Sequence, residues 1–427
     1  MGRLKIVYPV CCGMDVHRDF LIACIAATNA QGVTEYQSRR FSTYTGSLRE
    51  LRDWLLANDC KDVCMESTGK YWFPVHNILE ESCHVVVSHP KFVKAIKGKK
   101  TDKKDAQWIA DLFKHDLVRG SFIPPKDIRQ LRDLCRYWVK LSSYMTGEKN
   151  RAQNCLTVSN FKLDDVFSNV FGKSASAITT QLLEHPGEQF DVAPFVDGRC
   201  KTPIVQIQEA VDGIFTYEQA EKLKIIRGHM DSLERHKAEL ESLILEIAQN
   251  YLPQIELLLT VPGIHDAFTA IRILAEIGAD MTVFDTSKHL CSWAGLTPQN
   301  AESAGKKKTT RIGKSGAYLK PLLIQVALAA SRGEKHPEIY GKKQALQKRR
   351  GKKKSHSCHC QETLNRHLPY SKQERAVQSC CLHPGRQESY GPPDLPRESL
   401  RDACSNGLYC FKPFSVVLVR IASHPRF

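Results

Sequence analysis

The sequence lacks three kinds of segment that would assign it to a common class of protein. None of its apolar runs approaches the roughly 20 residues needed to span a bilayer. The first residues, Met1 to Lys5, lead straight into a strand-like run and do not resemble a signal peptide. No glycine-rich phosphate loop follows that first strand, which argues against a dinucleotide-binding domain. We therefore expect a cytoplasmic protein without a membrane segment.

Closely spaced cysteine pairs of the zinc-ribbon type are also missing. The chain has 16 cysteines, and no two of them form a Cys-x-x-Cys pair. Cysteines such as Cys24, Cys64 and Cys291 have apolar neighbours and are predicted to be small buried hydrophobic residues. Six of the 16 fall after residue 354, in a segment that differs from the rest of the chain.

Length and charge narrow the class of protein further. The 427 residues are enough for about two or three domains, each with its own core. The 61 Lys and Arg residues exceed the 46 Asp and Glu residues, which gives a net charge of +15 and a pI near 9.1. Such an excess favours a nucleic acid or an anionic surface as the partner.

The first 115 residues predict one order of strands and helices. The pattern is three strands, a helix, a short strand ending at Glu66, a second helix, a fifth strand and a third helix. The predicted strands and helices are Tyr8–Val16, Phe20–Thr28, Gly32–Phe41, Gly46–Asn58, Lys61–Met65, Tyr71–Ser82, Cys83–Ser88 and Asp102–His115. An antiparallel start followed by a parallel β-α-β part is the order of the ribonuclease-H-like α/β fold, which we predict here.

Four carboxylates distributed over this region could meet at one place in that fold. Asp102 and Asp105 open the third helix three residues apart, so both lie on one helical face. Taken alone, they fit either a metal site or a solvated helix start whose dipole favours negative charge. The predicted topology brings Asp15 of the first strand and Glu66 of the fourth beside them. Such a cluster supplies the hard oxygen ligands that two Mg²⁺ ions require.

The second half of the chain predicts helices with three features of interest. The helix over residues 128–156 has one basic face, which suits either solvent or a phosphate backbone. The helix Tyr217–Ala248 is amphipathic and suits a coiled coil or a single bundle helix. A turn at Val261–Ile264 separates two helices. It is either a helix-hairpin-helix-like element whose amides face DNA phosphates or an ordinary connection.

A serine follows in a small lysine-rich segment. Ser303 is flanked by Ala304, Gly305 and three lysines, and we expect an accessible loop beside cations that could hold a phosphate. A serine in a loop is more often a turn residue than a nucleophile. Ser315 is the reserve candidate.

Together these motifs resemble the DEDD transposases and site-specific recombinases of bacterial insertion sequences, a group that includes the Piv-type DNA invertases. In the first half, the matching segments are Gly13-Met14-Asp15-Val16, Met65-Glu66-Ser67-Thr68-Gly69 and Thr101-Asp102-Lys103-Lys104-Asp105-Ala106. In the second half, they are Thr260-Val261-Pro262-Gly263-Ile264, Gly295-Leu296-Thr297-Pro298, Glu302-Ser303-Ala304-Gly305-Lys306 and Arg311-Ile312-Gly313-Lys314. The resemblance extends from about residue 10 to about residue 350.

The resemblance implies a domain organisation and an activity. It implies a RuvC-like domain over residues 1–120, a helical or coiled-coil linker over 121–254 and a mainly helical transposase domain over 255–350. Asp15, Glu66, Asp102 and Asp105 would surround Mg²⁺, with Mn²⁺ as the other candidate ion, and Ser303 would be the nucleophile that forms a covalent phosphoserine. The implied partners are double-stranded donor and target DNA, a structured guide RNA and further copies of the chain in a dimer or tetramer.

Two other functions and one unusual segment stay open at this point. A RuvC-like nuclease could use water in place of Ser303, and an inactive remnant could still bind nucleic acid. The match to the family ends near Lys354, and residues 351–427 form an atypical tail rich in Cys, His, Pro and Arg. We expect this tail to be frameshifted, non-native or disordered, and a Cys/His metal site is the rival interpretation.

Overall fold

The computed structural model describes residues 4–67, 69–93, 101–284, 286–297, 301–303, 306–309, 315–332 and 337–351. The chain divides into two compact units, an N-terminal unit Met1–Pro124 and a C-terminal unit Pro125–Phe427. Parts of the predicted motifs lie outside the described residues, namely Thr68, Lys99, Lys100, Pro298, Ala304, Gly305, the segment 311–314 and the tail after residue 351. Among the helices that are described, none is both long and apolar enough to cross a membrane.

The N-terminal unit is a five-stranded sheet covered by helices. Its elements in chain order are β1 (Val10–Val16), β2 (Phe20–Thr28), β3 (Thr34–Ser42), α1 (Thr45–Ala57), β4 (Asp62–Glu66), α2 (Trp72–Leu79), β5 (His84–Ser88), α3 (Pro90–Val93) and α4 (Asp102–Lys114). The strand order is β3-β2-β1-β4-β5. Strand β2 is antiparallel to both of its neighbours, whereas β1, β4 and β5 are mutually parallel. The predicted order of elements is confirmed, with one addition: the short helix α3 between β5 and α4 was not predicted.

Alternation along β1 divides its side chains between two cores. Cys12, Met14 and Val16 lie in the core that includes α1 and α2, whereas Cys11 packs with α4. Gly13 lies on the α4 side, where a Cβ atom would stand 2.3 Å from the carbonyl oxygen of Ala106 and 2.3 Å from the amide nitrogen of Ala110. Any larger residue at position 13 would therefore displace α4 from the sheet.

Helix α4 starts at a defined cap. The Oγ1 atom of Thr101 accepts a hydrogen bond from the backbone N–H of Lys104 at 3.4 Å, and Asp102 and Asp105 lie in the first turn. The partial positive charge of a helix N-terminus stabilises carboxylates there. This fixes where the two aspartates stand relative to the helix axis.

The C-terminal unit is mostly helical. Its elements are α5 (Lys126–Val158), α6 (Leu163–Val166), α7 (Lys173–Glu184), α8 (Ile204–Ala210), α9 (Tyr217–Ala248), α10 (Leu252–Leu259), α11 (Ala267–Ile277), α12 (Ser287–Trp293), β6 (Ala301–Ser303), β7 (Lys306–Thr309), α13 (Leu319–Ala330) and α14 (Pro337–Arg350). The helices predicted at 128–156, 217–248 and 267–277 are confirmed. Helices α7 and α8 fall in a region where no element was predicted.

Helices α5 and α9 run side by side in opposite directions. The indole Nε1 of Trp138 donates to Glu241 at 2.8 Å, and Nδ1 of His229 lies 3.1 Å from Oε1 of Glu148. One apolar core surrounds the start of α5 and the end of α9 together with α11 and α13. The other surrounds the end of α5 and the start of α9 together with α6, α7 and α8. A coiled-coil or dimerising role for this pair stays a prediction, as do the domain limits at 120, 254 and 350.

An ion pair between the partly exposed Arg136 and the buried Glu276 fixes the end of α11 against α5. Nε and Nη2 of Arg136 donate to the two carboxylate oxygens of Glu276 at 2.7 and 2.8 Å. The Glu276 side chain is 9% exposed, and these bonds raise the pKa of Arg136. Arg132 donates to the backbone oxygens of Ala275 and Glu276, both at 2.8 Å. Arg132 thus satisfies two carbonyl groups that the helix end leaves unpaired, while Arg136 pairs with the Glu276 carboxylate.

The turn between α10 and α11 packs against α13. Gly263 has φ 93°, and a Cβ atom there would lie 2.1 Å from the backbone oxygen of Val326. The amides of Val261 and Ile264 donate within the turn region, to the backbone oxygens of Leu258 and Val261, each at 3.1 Å. Contact of this turn with a DNA phosphate stays a prediction.

The described cysteines are packing residues. All ten are free thiols, and every one except the half-buried Cys200 is buried. Burial raises the pKa of Cys11 and Cys64 to about 12 in the N-terminal unit. In the C-terminal unit, burial raises the pKa of Cys135 to about 12 and that of Cys291 to about 11. The prediction of small buried hydrophobic residues is confirmed for them.

Candidate active site

The sheet places Asp15 and Glu66 at the same edge. Met14 of β1 stands opposite Met65 of the parallel strand β4, so the next residues, Asp15 and Glu66, follow at the same level. Asp15 is the second-last residue of β1, and Glu66 is the last residue of β4. The carboxyl ends of neighbouring parallel strands meet at one edge of a sheet, where loops leave room for a ligand.

Helix α4 adds the two aspartates of its first turn to this edge. Burial is the largest cause that raises the pKa of Asp15, and the carboxylates of Asp102, Asp105 and Glu66 raise it further. A ligand atom of Asp102 lies within 4.8 Å of one of Asp15, and Asp105 lies in the same helical turn as Asp102. The structure thus brings together the four carboxylates singled out in the sequence.

The cluster also contains a histidine, His17, which was not predicted from the sequence. Nε2 of His17 lies 3.2 Å from Oδ2 of Asp15 and 3.8 Å from Oδ1 of Asp102. The histidine lowers the pKa of Asp15, which opposes the effect of the neighbouring acids. The signal was the spacing Asp-x-His, which places His17 directly after the end of β1 and close to Asp15.

The residues of this cluster fit a divalent cation. One ligand atom from each of Asp15, His17 and Asp102 lies within 4.8 Å of the others. The Nε2 atom of His17 is buried and has no partner with hydrogen-bond geometry among the described residues. Carboxylate oxygens suit Mg²⁺ or Mn²⁺, and an imidazole nitrogen suits a transition metal better than Mg²⁺. A cation would also offset the repulsion that raises the pKa of Asp15.

Ser303 lies in a hairpin and not in a loop, so the prediction of a loop was wrong. It is the last residue of β6, and its backbone is paired with that of Lys306 in β7. Glu302 pairs with Lys307, and the register shifts between Ala301 and Glu302. Backbone pairing with β7 gives Ser303 a strand conformation that its composition does not indicate. The reserve candidate Ser315 is exposed and lies before α13.

The strand order and the acidic residues at the ends of β1 and β4 agree with a ribonuclease-H-like domain. Two family models match the chain. The DEDD model of the IS110 transposases matches residues 12–160, and the model of the transposase IS116/IS110/IS902 family matches residues 255–341. Together they span more than half of the sequence, and the chain belongs to the IS110 family of transposases.

The two matched segments divide the candidate residues between them. The first contains Asp15, Glu66, Asp102 and Asp105, and the second contains Ser303. No curated protein matches the chain. The family assigns a DNA-processing activity, and its DEDD members usually use a divalent metal.

Proposed function

We propose that this transposase cuts and rejoins DNA strands through a covalent phosphoserine. Asp15, Glu66, Asp102 and Asp105 would hold Mg²⁺ or Mn²⁺, and Ser303 would be the nucleophile. The observation that carries the proposal is geometric: one ligand atom from each of Asp15, His17 and Asp102 lies within 4.8 Å of the others. The pairing of β1 with β4 places Glu66 beside Asp15, although the two are far apart in the sequence.

The protein groups of the cluster have separate roles in this proposal. When bound, the cation would supply Lewis-acid polarisation of the scissile phosphate and offset its charge. Asp15 and Glu66 are held by strand pairing, so they define where the phosphate binds. His17 adds its Nε2 atom to the same cluster, 3.2 Å from Oδ2 of Asp15, as a further possible ligand of the cation. Asp102 and Asp105 close the cluster from the helix side.

Ser303 would carry the covalent step. A bond forms between its Oγ atom and phosphorus, and the bond from phosphorus to one deoxyribose oxygen breaks. The departing oxygen takes up a proton, while the serine proton passes to a base or to water. A phosphate diester is present before and after this step, so a hydroxyl of another strand can later displace the serine. No external energy source is needed.

The partners follow from charge and from the family resemblance. The net charge of +15 suits both DNA and RNA. We propose a structured non-coding RNA as the guide that pairs with donor and target DNA. We also propose a homo-oligomer in which Ser303 of one copy serves the carboxylates of another.

Trapping the covalent adduct tests the nucleophile. The full chain is incubated with Mg²⁺, donor and target DNA and RNA from the flanks of its gene, and then separated on a denaturing gel. We expect a protein–DNA adduct that Ser303→Ala abolishes and that the matched variant Ser315→Ala retains. An adduct that survives Ser303→Ala overturns the assignment of Ser303. Strand cleavage without any adduct in the unmodified chain would instead identify a nuclease that uses water.

Neutralising one carboxylate tests the metal cluster. We expect Asp105→Asn to lower strand cleavage by about 10²-fold or more, which is the scale of lost groups around metal sites. Asp111→Asn is the matched control on the same helix. Asp111 accepts hydrogen bonds from Tyr36 at 2.5 Å and from Lys114 at 3.1 Å, away from the cluster. Equal cleavage by Asp105→Asn and the unmodified chain would remove the carboxylates from the mechanism.

A further inference from the structure

Arg40 stands on the same face of the sheet as the carboxylates. Asp15 lies opposite Ile22 of β2, and Ile22 lies opposite Arg40 of β3. Directly opposite residues of neighbouring strands project to the same side of a sheet. Two strand spacings, about 10 Å, separate the backbone of Arg40 from that of Asp15. Arg40 itself is exposed.

An aromatic ring holds the guanidinium group of Arg40. Its Cζ atom lies 3.9 Å from the centroid of the Phe20 ring. The ring of His17 also lies against this ring, at a centroid distance of 4.8 Å, and His17 contacts Asp15. A continuous row of contacts therefore runs from Arg40 through Phe20 and His17 to the carboxylate cluster. Stacking of this kind restricts the guanidinium while leaving its N–H groups available.

The charge of Arg40 has no acidic partner among the described residues of the chain, where its recorded contact is the Phe20 ring. A planar guanidinium with available N–H groups matches the oxygens of a phosphate. The DNA strand that places one phosphate at the carboxylates carries further phosphates on either side. An arginine about 10 Å away on the same face is within reach of one of these.

We propose that Arg40, stacked on Phe20, binds the DNA phosphate next to the one held at the carboxylates. This inference rests on the proposed function for the position of the scissile phosphate. Arg40 is a positioning residue: it touches a phosphate that does not react, and it sets the register of the strand at the cluster. Phe20 acts through Arg40, because the ring keeps the guanidinium in place.

The neighbouring arginine provides a matched control. Arg39 is one residue away, so its side chain projects to the opposite face, where its Cζ atom lies 4.8 Å from the Phe41 ring. Arg39→Gln and Arg40→Gln remove the same charge and a similar stacking contact. Only the position relative to the carboxylates differs between them.

Salt-dependent DNA binding by the full chain gives the first measurement. The probe is a labelled DNA duplex, with Ca²⁺ in place of Mg²⁺, and the affinity is measured over a range of salt concentrations. The loss of one phosphate contact lowers the slope of log K against log salt by about 0.9. We expect this reduction for Arg40→Gln and an unchanged slope for Arg39→Gln. Equal slopes for the two variants would overturn the proposal.

The second measurement uses DNA probes in which one phosphate at a time is uncharged. The charge of single phosphates in the probe is removed by methylphosphonate substitution, one position at a time. At one position next to the cleavage site, we expect the affinities of the unmodified chain and Arg40→Gln to become equal. A constant difference at every position would overturn the proposal. The result is independent of Ser303, because loss of the adduct in Ser303→Ala leaves the binding difference measurable.

Discussion

Asp15 lies on a strand paired with β2 along seven residues and with β4 along four, whereas Ser303 ends a strand of three residues with one partner. Asp15 and Glu66 are therefore positioned by an extended ladder, and the backbone of the serine by a few bonds in a hairpin. A metal cluster needs several groups held at fixed separations, and paired strands meet that need. A single nucleophile needs only to reach one phosphorus atom. The two parts of the proposed site thus place different demands on the fold.

The helices of the two units are also fixed in different ways. In the N-terminal unit, α4 lies directly on Gly13, with no side chain between helix and strand. In the C-terminal unit, α11 is tied to α5 by the paired charges of Arg136 and Glu276. The contact of α4 depends on the missing side chain of Gly13, and the contact of α11 depends on the hydrogen-bonded charges of Arg136 and Glu276. Substitutions at each place test this difference.

The largest effect on stability is expected in the C-terminal unit. Glu276→Gln removes the charge that accepts both hydrogen bonds from Arg136, whose side chain is 39% exposed, and the loss of hydrogen bonds between charged groups costs roughly 1.5 to 3 kcal/mol. We expect a loss of this order in the free energy of unfolding, measured by urea denaturation. Glu221→Gln is the control, because Glu221 pairs with Lys224 at the surface and such pairs contribute at most about 1 kcal/mol. Similar losses for both variants would contradict the importance of burial.

A smaller loss of stability is expected when a side chain is introduced at Gly13, where α4 packs on the sheet. Gly13→Ala places a Cβ atom 2.3 Å from backbone atoms of Ala106 and Ala110. We expect a loss of roughly 1 to 3 kcal/mol, as for overpacked cores, and weaker Mn²⁺ binding because Asp102 and Asp105 move. Gly46→Ala is the control, since no atom lies within 4 Å of a Cβ there. A Gly13→Ala variant that binds Mn²⁺ normally would show that this close contact does not position the acids.

The smallest effect concerns the pH dependence of the metal-free protein. Burial and nearby acids raise the pKa of Asp15 in the folded state, so folding disfavours its charged form. The contribution of Asp15 to stability is therefore present at low pH and is lost as pH rises through the raised pKa. We expect Asp15→Asn to raise Tm by about 2 °C at neutral pH, with no gain at acidic pH. A gain that is equal at both pH values would exclude this cause.

The fold and the carboxylates of the N-terminal unit could be predicted because long, regular segments carry them. Alternating apolar residues define β1 and β2, and the order of elements fixes which strand ends meet. Asp15, Glu66, Asp102 and Asp105 then follow from their places in those elements. The catalytic roles of these residues stay predictions, since the structure shows their proximity and not a reaction.

Other features could not be predicted because tertiary contacts create them. Strand β6 contains Ala301, Glu302 and Ser303, which have little intrinsic preference for strands, and only pairing with β7 makes them one. Helices α7 and α8 are short helices in a turn-rich region, and their apolar faces are stabilised by the core that includes Phe161. His17 was missed because it follows the strand that carries Asp15.

The buried cysteines of both units can be used to measure local unfolding of the chain. A thiolate is the form that reacts with alkylating reagents, and burial keeps Cys11, Cys64, Cys135 and Cys291 protonated. Each of these thiols therefore reacts only when its surroundings open. Alkylation followed by peptide mass analysis would show, without any introduced label, whether DNA or Mn²⁺ closes the sheet, the helical unit or both.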